Sequence, residues 1–237
     1  MDIRINQLTK VYSDYTAMSA PDLKIPNGES FGLVGNNGAG KTTLFRCLMD
    51  LIEPTTGEVI IGDMPVQVNG DWKEFTGSYL DENFLIGHLL PEEYFDFIAS
   101  LHRLSKEDVS KKLGEFEELF NGEILGGDKL IRDLSKGNQK KVGIAAALLF
   151  DPKVLVLDEP FANLDPSTQI RLKDLLKRLK TDRGVTMLIS SHDLQHVTEV
   201  CERIVLLEKG QIINDIKTSS QTLAELEEYF SKVGQTV

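Results

Sequence analysis

Residues 35 to 42 read Gly-Asn-Asn-Gly-Ala-Gly-Lys-Thr, and no other segment limits the possible folds as sharply. The pattern is a glycine, four residues, then Gly-Lys and a hydroxyl residue. It requires a tight loop between a buried strand and the start of a helix. The flanks supply both: Glu29–Val34 contains a short apolar run, and Thr43–Leu51 has helical spacing. Gly35, Gly38 and Gly40 are expected to turn the loop through backbone angles closed to residues with a Cβ. The loop N–H groups then face inward as an anion nest. Lys41 brings a point charge to β- and γ-phosphates, Thr42 offers its hydroxyl to Mg2+, and the helix start adds its positive end. Gly35, Asn36, Asn37, Gly38, Ala39, Gly40, Lys41, Thr42 and Thr43 therefore form the expected cradle for a nucleoside triphosphate. A plain Gly-rich turn is the competing reading, and the strand-loop-helix context argues against it.

A second segment complements the first. Val154-Leu-Val-Leu-Asp-Glu-Pro160 is an apolar run ending in two acids. Only a buried strand needs four successive apolar residues, and its C-terminal end is where open α/β sheets bind ligands. Asp158 is positioned to orient Mg2+, and Glu159, one step further out, to polarise a water. Taken alone, an acidic turn after a strand would be unremarkable.

The remaining periodicities give an α/β chain. Strand character occurs at Ile3–Ile5, Phe31–Val34, Val59–Ile61, Val154–Leu157, Val185–Ile189, Ile204–Leu207 and Gln211–Ile213. Helical spacing occurs at Thr43–Leu51, Glu92–Leu101, Lys106–Phe120, Gly137–Phe150, Ser167–Lys180, Leu194–Val200 and Thr222–Val233. Strands and helices alternate at both ends, whereas residues 82 to 150 read as helical. The expectation is a single domain over 1–237, with a core of about 1–81 and 151–237 and a helical subdomain of about 82–150.

Charge and cysteine content narrow the function classes. The net charge of −11 argues against a surface built to bind nucleic acid or anionic lipid. Lys136, Lys140 and Lys141 could form a local basic patch or, more simply, a solvated helix face. Cys47 and Cys201 show no metal-ligand spacing and no disulfide framework. The start Met1-Asp-Ile-Arg-Ile has no signal-peptide core, and no apolar run reaches membrane length. The expected location is cytoplasmic, with any membrane work done through another chain.

Between the two phosphate motifs lies Asp133-Leu-Ser-Lys-Gly-Asn-Gln-Lys-Lys141. It resembles the Leu-Ser-Gly-Gly-Gln signature of the ATP-binding cassette (ABC) ATPases, with Ser135 and Gly137 matching and Lys136 and Asn138 departing. An ordinary helix N-cap would explain it taken alone; its place between the phosphate motifs is what makes it specific. Ser190-Ser-His-Asp193 resembles the segment carrying the switch histidine, here His192. Asn163-Leu-Asp-Pro166 resembles the D-loop, with Asp165 at a dimer seam, and Tyr12 matches the aromatic that stacks on adenine. Ser78-Tyr-Leu-Asp-Glu82 stands where the family has its Q-loop; it has no glutamine, and Glu82 looks like an acidic replacement able to contact Mg2+.

The resemblance runs from about Ile3 to about Phe230. It implies a P-loop NTPase fold: a RecA-like core, an antiparallel β subdomain and a helical subdomain. It implies ATP hydrolysis with Glu159 as base and with Lys41 and His192 on the γ-phosphate. It also implies a second cassette, most simply a homodimer, whose Ser135 completes the site, and an integral membrane permease that holds the chain at the inner face of the membrane. The Leu-Ser-Lys-Gly variant and Glu82 look like features of cassettes that serve bacterial exporters. A soluble cassette enzyme, for example one acting in cluster assembly, is the alternative.

Overall fold

A computed structural model describes residues 1–233. The strands are β1 (Ile3–Tyr12), β2 (Tyr15–Ala20), β3 (Leu23–Ile25), β4 (Ser30–Val34), β5 (Thr56–Ile61), β6 (Met64–Pro65), β7 (Thr76–Tyr79), β8 (Val154–Leu157), β9 (Thr186–Ser191), β10 (Arg203–Glu208) and β11 (Gln211–Lys217). The helices are α1 (Lys41–Leu48), α2 (Pro91–Leu101), α3 (Lys106–Glu115), α4 (Glu117–Phe120), α5 (Lys136–Leu148), α6 (Pro166–Arg183), α7 (Leu194–Val200) and α8 (Thr222–Val233).

All the strands join one sheet in the order β6-β5-β1-β2-β11-β10-β4-β9-β8-β7, with β3 paired to β1. From β10 to β7 every pairing is parallel; around β1 every pairing is antiparallel. β11 joins the halves, antiparallel to β10 and parallel to β2. In β4, β8 and β9 every residue is buried, the mark of strands covered on both faces. Alternation sorts their side chains. Leu33, Val154 and Val156 pack with Leu44, Phe45 and Leu48 of α1, whereas Val34, Leu155 and Leu157 pack with α5, α6 and α7. That second cluster continues without a break into Phe95, Phe116 and Phe120 of the helical stretch.

Three local differences from the sequence reading have physical causes. β1 extends to Tyr12 because its outward residues pair with β2 and β5, a gain invisible in the apolar pattern. β7 contains only one large apolar residue, yet it is an edge strand: a Cβ on Gly77 would sit 2.0 Å from the Ala147 carbonyl, so α5 packs directly on its backbone. The helix expected over Lys106–Phe120 breaks at Phe116, which turns its buried ring toward Phe120.

The lysine patch is not a patch. Lys140 and Lys141 are only 4% and 3% exposed, so neither a basic surface nor a solvated helix face describes them. Lys141 pairs with Glu123 at 2.8 Å, and Lys140 points into the site described below. Both cysteines are free and buried, and burial pushes the Cys47 thiol up to about 11. Among the described residues, no helix is long and apolar enough to cross a membrane.

Candidate active site

The C-terminal ends of β4, β8 and β9 lie side by side, and each delivers one part of the site. The loop after β4 holds α1 at its end. Gly40 caps that helix in a left-handed conformation (φ +107°), and a Cβ there would lie 2.6 Å from the Ala17 carbonyl. Gly35 is glycine for a different reason from the one expected: its φ is ordinary, but a Cβ would lie 2.3 Å from the Leu207 carbonyl of β10. Lys41 folds back over the loop, donating to Gly35 O at 2.7 Å and Asn36 O at 3.4 Å.

Asp158 follows β8 and is buried. Its Oδ2 accepts from Thr42 Oγ1 at 2.6 Å, and its Oδ1 accepts from the Ser190 hydroxyl on β9. Burial raises its carboxyl above the ordinary range; the Ser190 and Thr42 hydrogen bonds act in the opposite direction. Asp158 and Thr42 thus present two hard oxygen donors side by side. This donor set fits Mg2+, which takes one or two protein oxygens and completes its shell from phosphates and water. Among the described residues no cluster of three or more His, Cys, Asp or Glu could hold a metal alone.

Glu159 has a left-handed backbone (φ +47°), which is costly for a residue with a Cβ. Its amide donates to Ser190 Oγ at 2.9 Å and its carbonyl accepts from Lys140 Nζ at 2.6 Å. Its side chain therefore turns toward the phosphate loop. Oε1 lies 3.2 Å from Lys41 Nζ, an ion pair without an aligned hydrogen bond, and Oε2 lies 2.8 Å from His192 Nδ1. Lys41, Glu159 and His192 are thus brought together.

Tyr12 and Tyr15 face each other across the turn between β1 and β2. Both line one cleft with Ala17, Asn37, Gly38, Ala39, Gly40, Lys41, Thr42, Thr43 and Glu159. Tyr12 is 47% exposed, so its ring is available for stacking.

The ABC transporter family profile matches residues 18–162. The chain belongs to the ABC transporter family. Over 235 residues it is 36% identical to the uncharacterized ABC transporter ATP-binding protein YhaQ of Bacillus subtilis, covering 99% of this chain and 76% of that protein. It is 33% identical to the sulfate/thiosulfate import ATP-binding protein CysA of Pectobacterium atrosepticum, over 93% of this chain and 68% of that one. Among solved structures, the ATP-binding cassette MJ0796, a dimer in a post-hydrolysis state with ADP and Pi, superposes with a TM-score of 0.82 at 26% identity, covering 92% of this chain and 99% of that chain. The architecture is accordingly that of the P-loop ABC cassettes, and the chain is an ABC-type ATP hydrolase.

The other residues singled out in the sequence sit outside the Tyr12–Glu159 cleft. Ser135 caps α5, its Oγ accepting from Asn138 N at 3.2 Å. A Cβ on Gly137 would lie 2.8 Å from Asn163 O, so the start of α5 packs closely on the loop before α6. Asp165 caps α6: it accepts from Ser167 Oγ at 2.6 Å and Thr168 N at 3.0 Å, and these bonds hold its carboxyl well below the usual range. Glu82 opens a 3-10 turn three residues beyond β7, at the same sheet end as Asp158. Burial lowers the Lys140 ammonium, and the carboxylates of Glu82, Glu159, Asp158 and Asp81 pull it back up.

Three contributors carried no assigned role in the sequence reading. Ser190 bonds both acids; its signal was its place two residues before His192 on the strand next to β8. Tyr15 is a second cleft aromatic, three residues after Tyr12. Lys140 looked like surface charge because periodicity cannot show which face of a helix is covered on all sides.

Proposed function

We propose that this chain is the ATP-hydrolysing subunit of an exporter, working as a homodimer beneath a separate membrane permease on the cytoplasmic face. The observation that carries the reading is the division of the site. Lys41, Thr42, Asp158, Glu159 and His192 converge at one sheet end, whereas Ser135 and Gly137 lie outside the cleft. A second copy, head to tail, would bring its Ser135 and Gly137 over the nucleotide; MJ0796 is likewise a dimer in its post-hydrolysis state. On this reading Glu159 takes a proton from water as its oxygen bonds the γ-phosphorus and the bond to the ADP oxygen breaks, giving ADP and Pi. Lys41 balances charge on the phosphoryl oxygens, and His192 orients Glu159. Mg2+, held by Thr42 and Asp158 and on this reading contacted by Glu82, would neutralise phosphate charge.

A cleft bounded by β7, α2 and α5 supports a permease partner. It is lined by Tyr79, Phe84, Leu85, Tyr94 and Ile98, and Phe84 is half exposed. The helical stretch of about 82–150 would act as the subdomain that moves with that partner. The export direction rests on the Leu134-Ser-Lys-Gly137 variant and Glu82; CysA is an importer by name, so direction calls for transport in oriented vesicles.

The test is a mixture. Glu159→Gln should abolish turnover while retaining ATP-dependent dimerisation in sedimentation. Ser135→Arg mixed with Lys41→Ala should recover one intact composite site and with it association. Turnover by Glu159→Gln near the wild-type rate overturns the base. No association in the mixture overturns the trans arrangement.

A further inference from the structure

Lys140 is a buried cation with no surface role. An ammonium enclosed by protein is costly unless its charge is balanced and its donors are used. One donor goes to the Glu159 carbonyl at 2.6 Å, and the ammonium lies 5.8 Å from the centre of the Tyr79 ring. The carboxylates of Glu82, Glu159, Asp158 and Asp81 each favour its charged form.

The bond to Glu159 is made at a strained residue. A left-handed glutamate persists only where its surroundings over-determine it. Here both peptide groups flanking that backbone are held, the amide by Ser190 and the carbonyl by Lys140. That turn is what aims the carboxylate at Lys41 and His192. Lys141, the next residue, provides an internal comparison. It is equally buried on the same helix, but its ammonium goes to Glu123, away from the site.

We infer that Lys140 is a positioning residue for hydrolysis: it pins the Glu159 backbone in its active turn. The inference rests on the proposed role of Glu159 as base.

The experiment uses the full chain. Lys140→Met, which removes the donor, should lower kcat by about 10-fold while KM for ATP with Mg2+ moves less than about threefold, the pattern of a lost transition-state geometry. Lys140→Arg, which keeps a donor, should stay within about threefold of wild type in kcat. Lys141→Met should leave kcat unchanged. Should Lys140→Met fail to fold, Lys140→Gln takes its place with the same expected loss of kcat. Wild-type kcat in whichever of these two variants folds overturns the inference, as does equal loss in Lys141→Met. Turnover by Glu159→Gln would instead overturn the base, a result independent of any Lys140 variant.

Discussion

The Lys41 ammonium stands 3.2 Å from Oε1 of Glu159, so the cation of the phosphate loop and the acid after β8 are held by each other. Both line one cleft, and on the proposed reading a phosphate bound there competes with Glu159 for Lys41.

That competition has a measurable consequence. Glu159→Gln removes a charge that both occupies Lys41 and repels phosphate. It should tighten ADP binding by about fivefold, and Lys41→Ala should weaken it by about 100-fold, both measured by calorimetry. ADP is the appropriate probe because ATP-driven dimerisation does not then contribute. Unchanged ADP affinity in Glu159→Gln would show that the pair has no hold on nucleotide binding.

Ser190 joins the two acids: its hydroxyl donates to Asp158 and accepts the Glu159 amide. Ser190→Ala leaves a buried carboxylate oxygen and an amide without this partner. The expected cost is about 1–2 kcal/mol of stability in urea titration, with kcat lowered about 10-fold. A variant as active and stable as wild type would remove Ser190 from the site.

Asp165 carries a pH dependence of known sign. Bonds from Ser167 and Thr168 hold its carboxyl below the ordinary value of about 3.9. The charged cap therefore contributes stability that is fully present above pH ~4 and is lost as pH falls through the lower folded value. Wild type should melt above Asp165→Asn at pH 7, with the gap closing below pH ~4. A gap independent of pH would mean that the charge on this cap is immaterial.

Arg183 ties the helical stretch to the core. Its guanidinium meets Asp151 at 2.5 Å and Glu115 of α3 at 2.6 Å, and Lys112 joins the same two acids. The group is partly exposed, so Arg183→Ala should cost only about 1 kcal/mol, and less in 1 M NaCl than in 50 mM. Urea titrations at the two salt concentrations test this. A cost insensitive to salt would indicate packing rather than charge.

Much of the site was legible because it is written in local patterns. The phosphate loop, the strand ending in Asp158 and Glu159, and His192 after β9 each combine a chemical residue with a neighbouring periodicity. β8 and α7 fall on the residues that periodicity predicted. β2 and β7 do not, because their stability comes from backbone pairing and from close packing at Gly77, which leave no apolar signature.

The sequence by itself determined the parts: a loop that must bind phosphate, two acids at a strand end, and a signature that names the family. Tertiary structure alone decided how those parts meet. It made Gly35 a site of close approach to β10 rather than of unusual φ, made Asp165 a helix cap, and took Lys140 off the surface to hold the Glu159 carbonyl. The physical reason is distance along the chain. Ser190 and Asp158 are 32 residues apart, and Thr42 and Asp158 are 116 apart. Only the parallel register of β4, β9 and β8 brings their ends to one edge, and no local pattern encodes that register.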